Sequence, residues 1–205
     1  MAMHIAIAGN IGAGKTTLTQ ILARHYGWEI QLEDMDENPY INDFYEDMQR
    51  WSFNLQVYFL TVRWNNIQKI RAGEKTVIQD RTIYEDAYIF APNLHAMGLM
   101  STRDFDNYSK LFAAINTNIS QPDLLIYLRA GIPRLVSNIQ LRGREYEEAI
   151  RLDYLKRLNE RYEAWIGDYQ GKMIILNIDE LDFQEVPEHA NHVITQVETA
   201  LNGLF

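Results

Sequence analysis

A glycine-rich segment near the start of the chain, residues 9–17, has the residue types and spacing of a phosphate-binding loop. It reads Gly-Asn-Ile-Gly-Ala-Gly-Lys-Thr-Thr, a full match to the Gly-x4-Gly-Lys-Ser/Thr pattern, and it lies between a strand-like apolar run and a helix-like segment. Glycines let successive backbone N–H groups point at phosphate oxygens, Lys15 can reach the terminal phosphates, and Thr16 can offer its hydroxyl group to Mg²⁺. The segment therefore predicts a site for a nucleoside triphosphate.

Charged side chains follow two of the predicted strands, at the edge of the sheet where parallel α/β folds bind ligands. Glu33 comes after the second strand and can accept a proton from a hydroxyl group, although a lone loop glutamate is equally compatible with a solvated position. Asp80 and Arg81 end the third strand, where the acid can hold Mg²⁺ and the arginine can contact a phosphate or an acceptor oxygen. A purely structural Asp–Arg pair is the alternative at that position.

Arginines cluster after the fourth predicted strand, as Arg129, Arg134, Arg142 and Arg144. Basic side chains on a loop between helices suit a mobile lid, because they neutralise transferring phosphates and help to exclude water. We predict a lid over about residues 134–150, with Arg142 and Arg144 as its cations. A solvated basic face at a helix end is the alternative.

Two polar residues, Gln56 and Arg63, lie seven positions apart in a segment with helical spacing. Seven residues make about two helical turns, so both side chains project from one face. Their polar tips would be costly on a stripe that also carries Leu55, Phe59 and Leu60, unless they meet a ligand or each other. The pair therefore indicates a ligand pocket or a polar contact at the edge of the core.

The elements that must position these residues alternate between short apolar runs and longer segments with helical spacing. The runs of strand length are residues 3–8, 28–32, 76–78, 124–128 and 173–178, and the predicted helices are 16–26, 44–72, 153–166 and 187–201. Residues 91–120 are expected to be helical in part. Such alternation predicts a parallel sheet with helices on both faces, and the absence of a linker or repeat predicts a single domain over residues 1–205.

The composition limits the possible partners. The chain has 205 residues, and 28 acidic against 19 basic residues give a net charge of −9, the wrong sign for wrapping a nucleic-acid polymer. A small anion can still bind a local positive site. The absence of cysteine excludes disulfides, thiol nucleophiles and cysteine-ligated metals, and it fits the cytoplasm. No signal-like start and no apolar run near 18 residues is present, so we expect no membrane association.

A phosphate-binding loop alone is compatible with an ATPase, a GTPase switch or a small-molecule kinase. The chain has no Asn-Lys-x-Asp guanine-reading motif and no room for the added modules of motor ATPases. Phosphoryl transfer to a small acceptor remains, and it needs a base, cations and a closing lid. Glu33, Arg81 and the residue 134–150 segment are the candidates for these three parts.

Several segments together resemble the deoxynucleoside kinase family. They are residues 9–16, Glu33 with Asn38-Pro39-Tyr40, the run 51–60 that begins Trp-Ser-Phe, Asp-Arg-Thr-Ile-Tyr-Glu-Asp at 80–86, and residues 127–129 through 142–144. Glu-x4-Asn-Pro-Tyr and Trp-Ser-Phe are most similar to the bacterial deoxyadenosine/deoxyguanosine branch. The resemblance implies a P-loop NTPase-type three-layer α/β fold, with a five-stranded parallel sheet flanked by helices and an arginine-rich lid. It also implies ATP-dependent phosphorylation of a nucleoside 5′-hydroxyl group.

The resemblance also implies roles for individual residues. Glu33 would deprotonate the 5′-hydroxyl group beside Arg81, and Asp80 would help Thr16 to bind Mg²⁺ or would itself accept the proton. Gln56 would bond the base edge in a geometry that suits adenine or cytosine. The residues implied around the nucleoside are Glu33, Tyr45, Gln56, Arg63, Arg81, Asp86, Phe90 and Glu147. Tyr45 and Glu147 would bind the 3′-hydroxyl group of the sugar. Arg63 and Asp86 would line the far side of the base pocket, and Phe90 would stack on the base. Those implied around ATP are Gly9, Asn10, Ile11, Gly12, Ala13, Gly14, Lys15, Thr16, Thr17, Arg142 and Arg144.

The chain departs from the family pattern at a few positions. Asn138 stands where many members carry a further lid arginine, and Arg134, one turn earlier, is a possible replacement. Asp34-Met35 stands where relatives commonly have Pro-Val, and Asp80 stands where they have a glutamate. Neither change removes a required charge.

Together these observations predict a kinase that uses ATP and Mg²⁺ to phosphorylate a deoxynucleoside, with deoxyadenosine as the first choice. Deoxyguanosine, or a broader range of deoxynucleosides, is the alternative. A nucleoside monophosphate kinase shares the loop and the arginine-rich lid, and a non-catalytic ATP-binding regulator would keep only the loop. The family also suggests a homodimer formed through the long helices.

Overall fold

A computed structural model describes residues 2–33, 38–144, 147 and 150–203 of the chain. Within these residues five parallel strands form one sheet in the order β2-β3-β1-β4-β5. The strands are β1 His4–Gly9, β2 Glu29–Gln31, β3 Val77–Asp80, β4 Leu124–Arg129 and β5 Met173–Asn177. All five predicted strands are confirmed, with small shifts of their ends.

Helices cover both faces of this sheet. They are α1 Lys15–Tyr26, α2 Ile41–Glu46, α3 Met48–Ala72, α4 Ile83–Glu85, α5 Ala91–Ala96, α6 Thr102–Asn116, α7 Ile132–Arg142, α8 Leu152–Asp168 and α9 Pro187–Asn202, and a π-helical turn, Asp86–Phe90, joins α4 to α5. Because side chains alternate along a strand, Ile5 and Ile7 of β1 pack with α1 and α9, whereas Ala6 and Ala8 pack with α3 and α8. The predicted three-layer arrangement is therefore confirmed.

The structure corrects the helix predicted over residues 44–72. Two helices, α2 and α3, meet at Asp47, which has an extended backbone (φ −141°) and accepts a hydrogen bond from the Arg50 backbone N–H at 3.0 Å. This side chain satisfies an otherwise unpaired donor at the start of α3. The break leaves Tyr45 on a separate helix, α2.

The arginine-rich segment is also more regular than the loop that we predict for it. Residues Ile132–Arg142 form helix α7, which ends at Gly143 with a positive φ of 63°. Arg134 thus lies in the first turn of a helix, and Arg142 lies in its last turn. Residues 145, 146, 148 and 149 of the predicted lid lie outside the described residues, as do Asp34 and Met35.

The register of the sheet brings the chemically important segments to one edge. Ile7 of β1 pairs with Asp80 of β3, so the phosphate-binding loop after β1 and Arg81 after β3 leave the sheet side by side. Glu33 follows the next strand, β2, at the same end. No helix within the described ranges is long and apolar enough to cross a membrane.

Candidate active site

A cavity of about 460 Å³ opens at the carboxyl ends of the strands. Most of the predicted site residues line it, namely Ile11, Gly12, Ala13, Gly14, Lys15, Thr16, Thr17, Glu33, Tyr45, Gln56, Asp80, Arg81, Asp86, Phe90, Arg142, Arg144 and Glu147. Gly9, Asn10 and Arg63 are not among the described lining residues. Residues from distant parts of the sequence therefore surround one continuous space.

The phosphate-binding loop has the backbone conformation that its glycines predict. Gly12 and Gly14 have positive φ angles of 83° and 85°, and α1 begins at Lys15, so residues 15–17 of the segment form its first turn. The Lys15 ammonium group lies across the loop and donates hydrogen bonds to the carbonyl oxygens of Gly9 (2.9 Å) and Asn10 (3.1 Å). Burial, aided by the Arg81 charge, lowers the pKa of Lys15 to about 8. A phosphate placed here would favour the charged form of Lys15.

Asp80 and Thr16 form an oxygen-rich corner beside this loop. The Thr16 hydroxyl group donates to Asp80 Oδ2 at 2.6 Å, while Asp80 Oδ1 is buried and has no hydrogen-bond partner among the described atoms. Carboxylate and hydroxyl oxygens are ligands that Mg²⁺ prefers, usually together with phosphate oxygens and water. The unpartnered Oδ1 fits that requirement.

Glu33 lies between two buried arginines. Its carboxylate accepts a hydrogen bond from Arg63 Nη2 and one from Arg81 Nε, the latter at 3.3 Å. Burial raises the pKa of Glu33, but the charges of Arg81, Arg63 and Lys15 outweigh it and lower the pKa to about 2. Glu33 is therefore ionised and facing the cavity throughout the neutral range.

Arg81 is held by an unusual backbone and by contacts on several sides. It has a positive φ of 69°, the only such non-glycine residue in the described part of the chain. Its guanidinium lies over the Phe90 ring, 4.6 Å from the centroid, and its Nη1 donates to the Tyr162 hydroxyl oxygen at 2.8 Å. Sequence reasoning did not identify Tyr162, because nothing in its local pattern links it to a residue 81 positions away.

Polar groups face the end of the cavity that α3 and the π-helical turn form. Gln56 is 2% exposed, and its Oε1 atom has no partner among the described residues. Asp86 accepts a hydrogen bond from Arg63 Nε; burial raises the pKa of Asp86 to about 6 despite that charge. Arg63 lies behind Asp86 and Glu33, where it holds both carboxylates, instead of lining the pocket itself.

The lid residues pair with one another. Arg142 Nε donates to Glu147 Oε2 at 3.0 Å, and Arg144 Nη1 lies 3.7 Å from Glu147 Oε1. Asn138, on α7, donates to the carbonyl oxygen of Gly12 at 2.8 Å and so ties the lid helix to the phosphate-binding loop. Glu147 is buried, so the two arginines neutralise its charge.

Two other arginines of the predicted cluster lie apart from this network. Arg134 lines the cavity with its Nη2 3.6 Å from Asp182, on the loop before α9. It therefore reaches the same cavity from the opposite end of α7. Arg129 instead pairs with Glu163 at 2.7 Å on the surface.

Comparisons with known proteins agree with this geometry. Residues 5–202 match the family described as "Deoxynucleoside kinase". The chain is 37% identical to the deoxyadenosine/deoxycytidine kinase of Bacillus subtilis (strain 168), over 97% of this chain and 93% of that protein. It is 35% identical to the deoxyguanosine kinase of Lactobacillus johnsonii, over 98% and 93%. The structure of deoxyadenosine kinase from M. mycoides with bound dATP covers 96% of this chain and 100% of that chain, with a TM-score of 0.85 and 30% identity.

These matches extend over nearly the whole length of the two chains compared, and they include the phosphate-binding loop, the strand ends and the lid helix. They confirm the predicted kinase and argue against the monophosphate kinase and the non-catalytic regulator. The chain belongs to the deoxynucleoside kinase family and is a nucleotide-binding kinase that acts on small nucleosides.

Proposed function

We propose that this kinase transfers the γ-phosphoryl group of ATP to the 5′-hydroxyl group of a deoxynucleoside, with deoxyadenosine as the preferred acceptor. One observation carries the proposal. Glu33 and Arg81 line the same cavity as the phosphate-binding Lys15 and the base-facing Gln56. A hydroxyl group placed between them would meet a carboxylate, a guanidinium and the end of a triphosphate at once.

The phosphate end of the cavity would bind the donor. Residues 9–17 would surround the phosphates, and Thr16 and Asp80 would hold a Mg²⁺ ion, which offsets phosphate charge when it is bound. Arg142 and Arg144 would exchange Glu147 for phosphate oxygens, since all three line the cavity. These contacts leave the γ-phosphoryl group facing Glu33.

The chemistry at the acceptor would follow from the charge state of Glu33. The carboxylate takes the proton of the 5′-hydroxyl group while the bond from the nucleoside oxygen to the γ-phosphorus forms and the bond to the β-phosphate oxygen breaks. Arg81 stabilises negative charge on the transferring group. The products are a nucleoside monophosphate and ADP, with the proton on Glu33.

The base-facing groups favour a base with an exocyclic amino group. The free Oε1 of Gln56 and the carboxylate of Asp86 are both acceptors, so they match the amino group of adenine. Phe90 presents an apolar ring beside them. Tyr45 and Glu147 would bond the sugar 3′-hydroxyl group. Deoxyguanosine remains the second candidate, because a relative at 35% identity is a deoxyguanosine kinase.

We also propose that residues 1–205 form one kinase domain and that the protein is a cytoplasmic homodimer. The family match over residues 5–202 supports a single domain. Two large side chains are half-exposed: Tyr88 (46% exposed) lies beside α3, and Leu111 (41% exposed) lies on α6. They support an interface on the face of the protein that carries them. The absence of cysteine supports a reducing compartment.

A substrate panel tests the proposal. Purified protein is incubated with ATP and Mg²⁺ and with deoxyadenosine, deoxyguanosine, deoxycytidine or a nucleoside monophosphate. We expect the highest kcat/KM with deoxyadenosine and no transfer to the monophosphates. A Gln56→Glu variant should lower kcat/KM for deoxyadenosine about 10- to 100-fold, because the carboxylate has no N–H group to donate to the base. Gln68→Glu, exposed on the same helix, is the matched control. A preference for deoxyguanosine would contradict the substrate assignment.

A further inference from the structure

A buried glutamate that the proposed reaction does not use, Glu85, lies beneath the active site. It is 0% exposed and belongs to α4. One carboxylate oxygen accepts hydrogen bonds from the Thr82 backbone N–H (2.7 Å) and hydroxyl group (3.2 Å). The other accepts from the Gly9 backbone N–H (3.3 Å) and from the Tyr162 hydroxyl group (2.8 Å). Four hydrogen bonds from three residues therefore fix this buried carboxylate in place.

Tyr162 connects this carboxylate to Arg81. Its side chain is also 0% exposed, on α8, and its hydroxyl group lies between Glu85 and the Arg81 guanidinium at 2.8 Å from each. A phenol has one proton to donate. Because that proton is directed at the Glu85 carboxylate, the phenolic oxygen is left to accept from Arg81 Nη1. Glu85 therefore sets the direction of the bond that holds the guanidinium.

Arg81 needs such support. Its positive φ is strained for a residue with a Cβ atom and persists only where surrounding contacts impose it. The Glu33 carboxylate, its other hydrogen-bond partner, would be engaged by the substrate hydroxyl group during the reaction. Phe90 supports the face of the guanidinium but does not fix its rotation in that plane. Tyr162 and the Glu85 carboxylate, which lies 3.7 Å from Arg81 Nη1, are the partners that stay in place.

The same carboxylate also contacts the start of the phosphate-binding loop. Glu85 bonds the N–H of Gly9, whose carbonyl oxygen accepts from Lys15. A continuous chain of hydrogen bonds therefore runs from the loop through Glu85 and Tyr162 to Arg81. We propose that Glu85 and Tyr162 are positioning residues, which hold the Arg81 guanidinium at a fixed place relative to the phosphate-binding loop. This inference rests on the role proposed above for Arg81.

The test compares two buried tyrosines. Tyr162→Phe keeps the ring and removes the bond to Arg81. The control is Tyr127→Phe. Tyr127 stacks on Tyr162, with ring centroids 6.0 Å apart and planes at 17°. Its hydroxyl group also donates to a glutamate, Glu163, at 2.9 Å, but it does not contact Arg81. Tyr162→Phe should lower kcat about 10- to 100-fold and change KM for the nucleoside less than about threefold, as expected for a misplaced catalytic group. Tyr127→Phe should stay within about twofold of wild type.

A double-mutant cycle separates positioning from general packing. If Tyr162 acts through Arg81, adding Tyr162→Phe to Arg81→Gln should not lower kcat further. Glu85→Gln, which alters the same connection, should reproduce the loss in kcat if Tyr162→Phe proves too unstable to assay. Unchanged kcat in Tyr162→Phe, equal losses in both tyrosine variants, or additive losses in the double variant would overturn the inference. Wild-type kcat in Arg81→Gln alone would instead overturn the role of Arg81 itself.

Discussion

Replacing Glu33 by glutamine tests the proposed base with little change of shape. The amide keeps one acceptor oxygen for Arg63 or Arg81, but it has no negative charge and cannot take the proton of the 5′-hydroxyl group. Losing a positioned general base costs about 10²- to 10⁴-fold in rate. We therefore expect kcat to fall by that factor, whereas KM for the nucleoside changes much less, because the base-facing residues are untouched.

The same substitution has a cost in stability that follows from the pKa of Glu33. That pKa is lowered from 4.5 to about 2, which corresponds to roughly 3 kcal/mol of folding free energy. Because the folded-state pKa is depressed, this stabilisation is complete above pH 4.5 and is lost as the pH falls towards 2. Glu33→Gln lacks it at every pH. For a chain of 205 residues, the melting temperature should fall by roughly 6–12 °C at neutral pH.

The assay therefore separates catalysis from folding. Initial rates are measured at a temperature where the melting curve shows that the variant is fully folded, and Glu33→Asp serves as the control. Aspartate keeps the charge between the two arginines but withdraws the carboxylate by one methylene, so it should retain most of the stability while still losing kcat. Two outcomes would refute the reasoning: a folded Glu33→Gln enzyme with kcat within tenfold of wild type, or an unchanged melting temperature.

Two further predictions concern the base pocket and the lid. Burial raises the pKa of Asp86 to about 6, so its carboxylate gains a proton below that pH and can no longer accept from two donors. In pH–rate profiles, kcat/KM for deoxyadenosine should therefore fall below pH 6. A similar fall in the Asp86→Asn variant would contradict this assignment. In Gly12→Ala, the new Cβ would lie 2.7 Å from the Leu135 carbonyl oxygen, so α7 must move and KM for ATP should rise about tenfold. The control is Gly98→Ala, which has a similar φ of 72° but open space around the new Cβ, and it should leave KM unchanged.

The sequence predicts the site best where chemistry and local structure coincide. A glycine-rich loop must follow a strand to work, and the carboxyl ends of parallel strands must share an edge, so the meeting of Lys15, Glu33 and Asp80 could be expected from the sequence alone. The break at Asp47 could not, because the helical spacing continues across it. Helix α7 had a usable signal: Pro133 lies in its first turn, a position that proline favours.

Contacts between distant elements could not be predicted in the same way. Periodicity places Gln56 and Arg63 on one face of α3, but it cannot show that Asp86 and Glu33 stand between Arg63 and the cavity. The Asn138 bond to Gly12 joins residues 126 positions apart. Neither pairing leaves a periodic trace, since each depends on how two packed elements approach one another.

The arginines of the active site are paired with acidic side chains. A buried guanidinium without a counter-charge is costly, so a site that gathers cations for phosphates must neutralise them when the phosphates are absent. Arg81 pairs with Glu33, and Arg142 pairs with Glu147. In the proposed reaction these same two carboxylates face the hydroxyl groups of the nucleoside. Each acid therefore has two uses: it neutralises an arginine that lines the cavity, and it is placed to meet the acceptor when a phosphate binds that arginine.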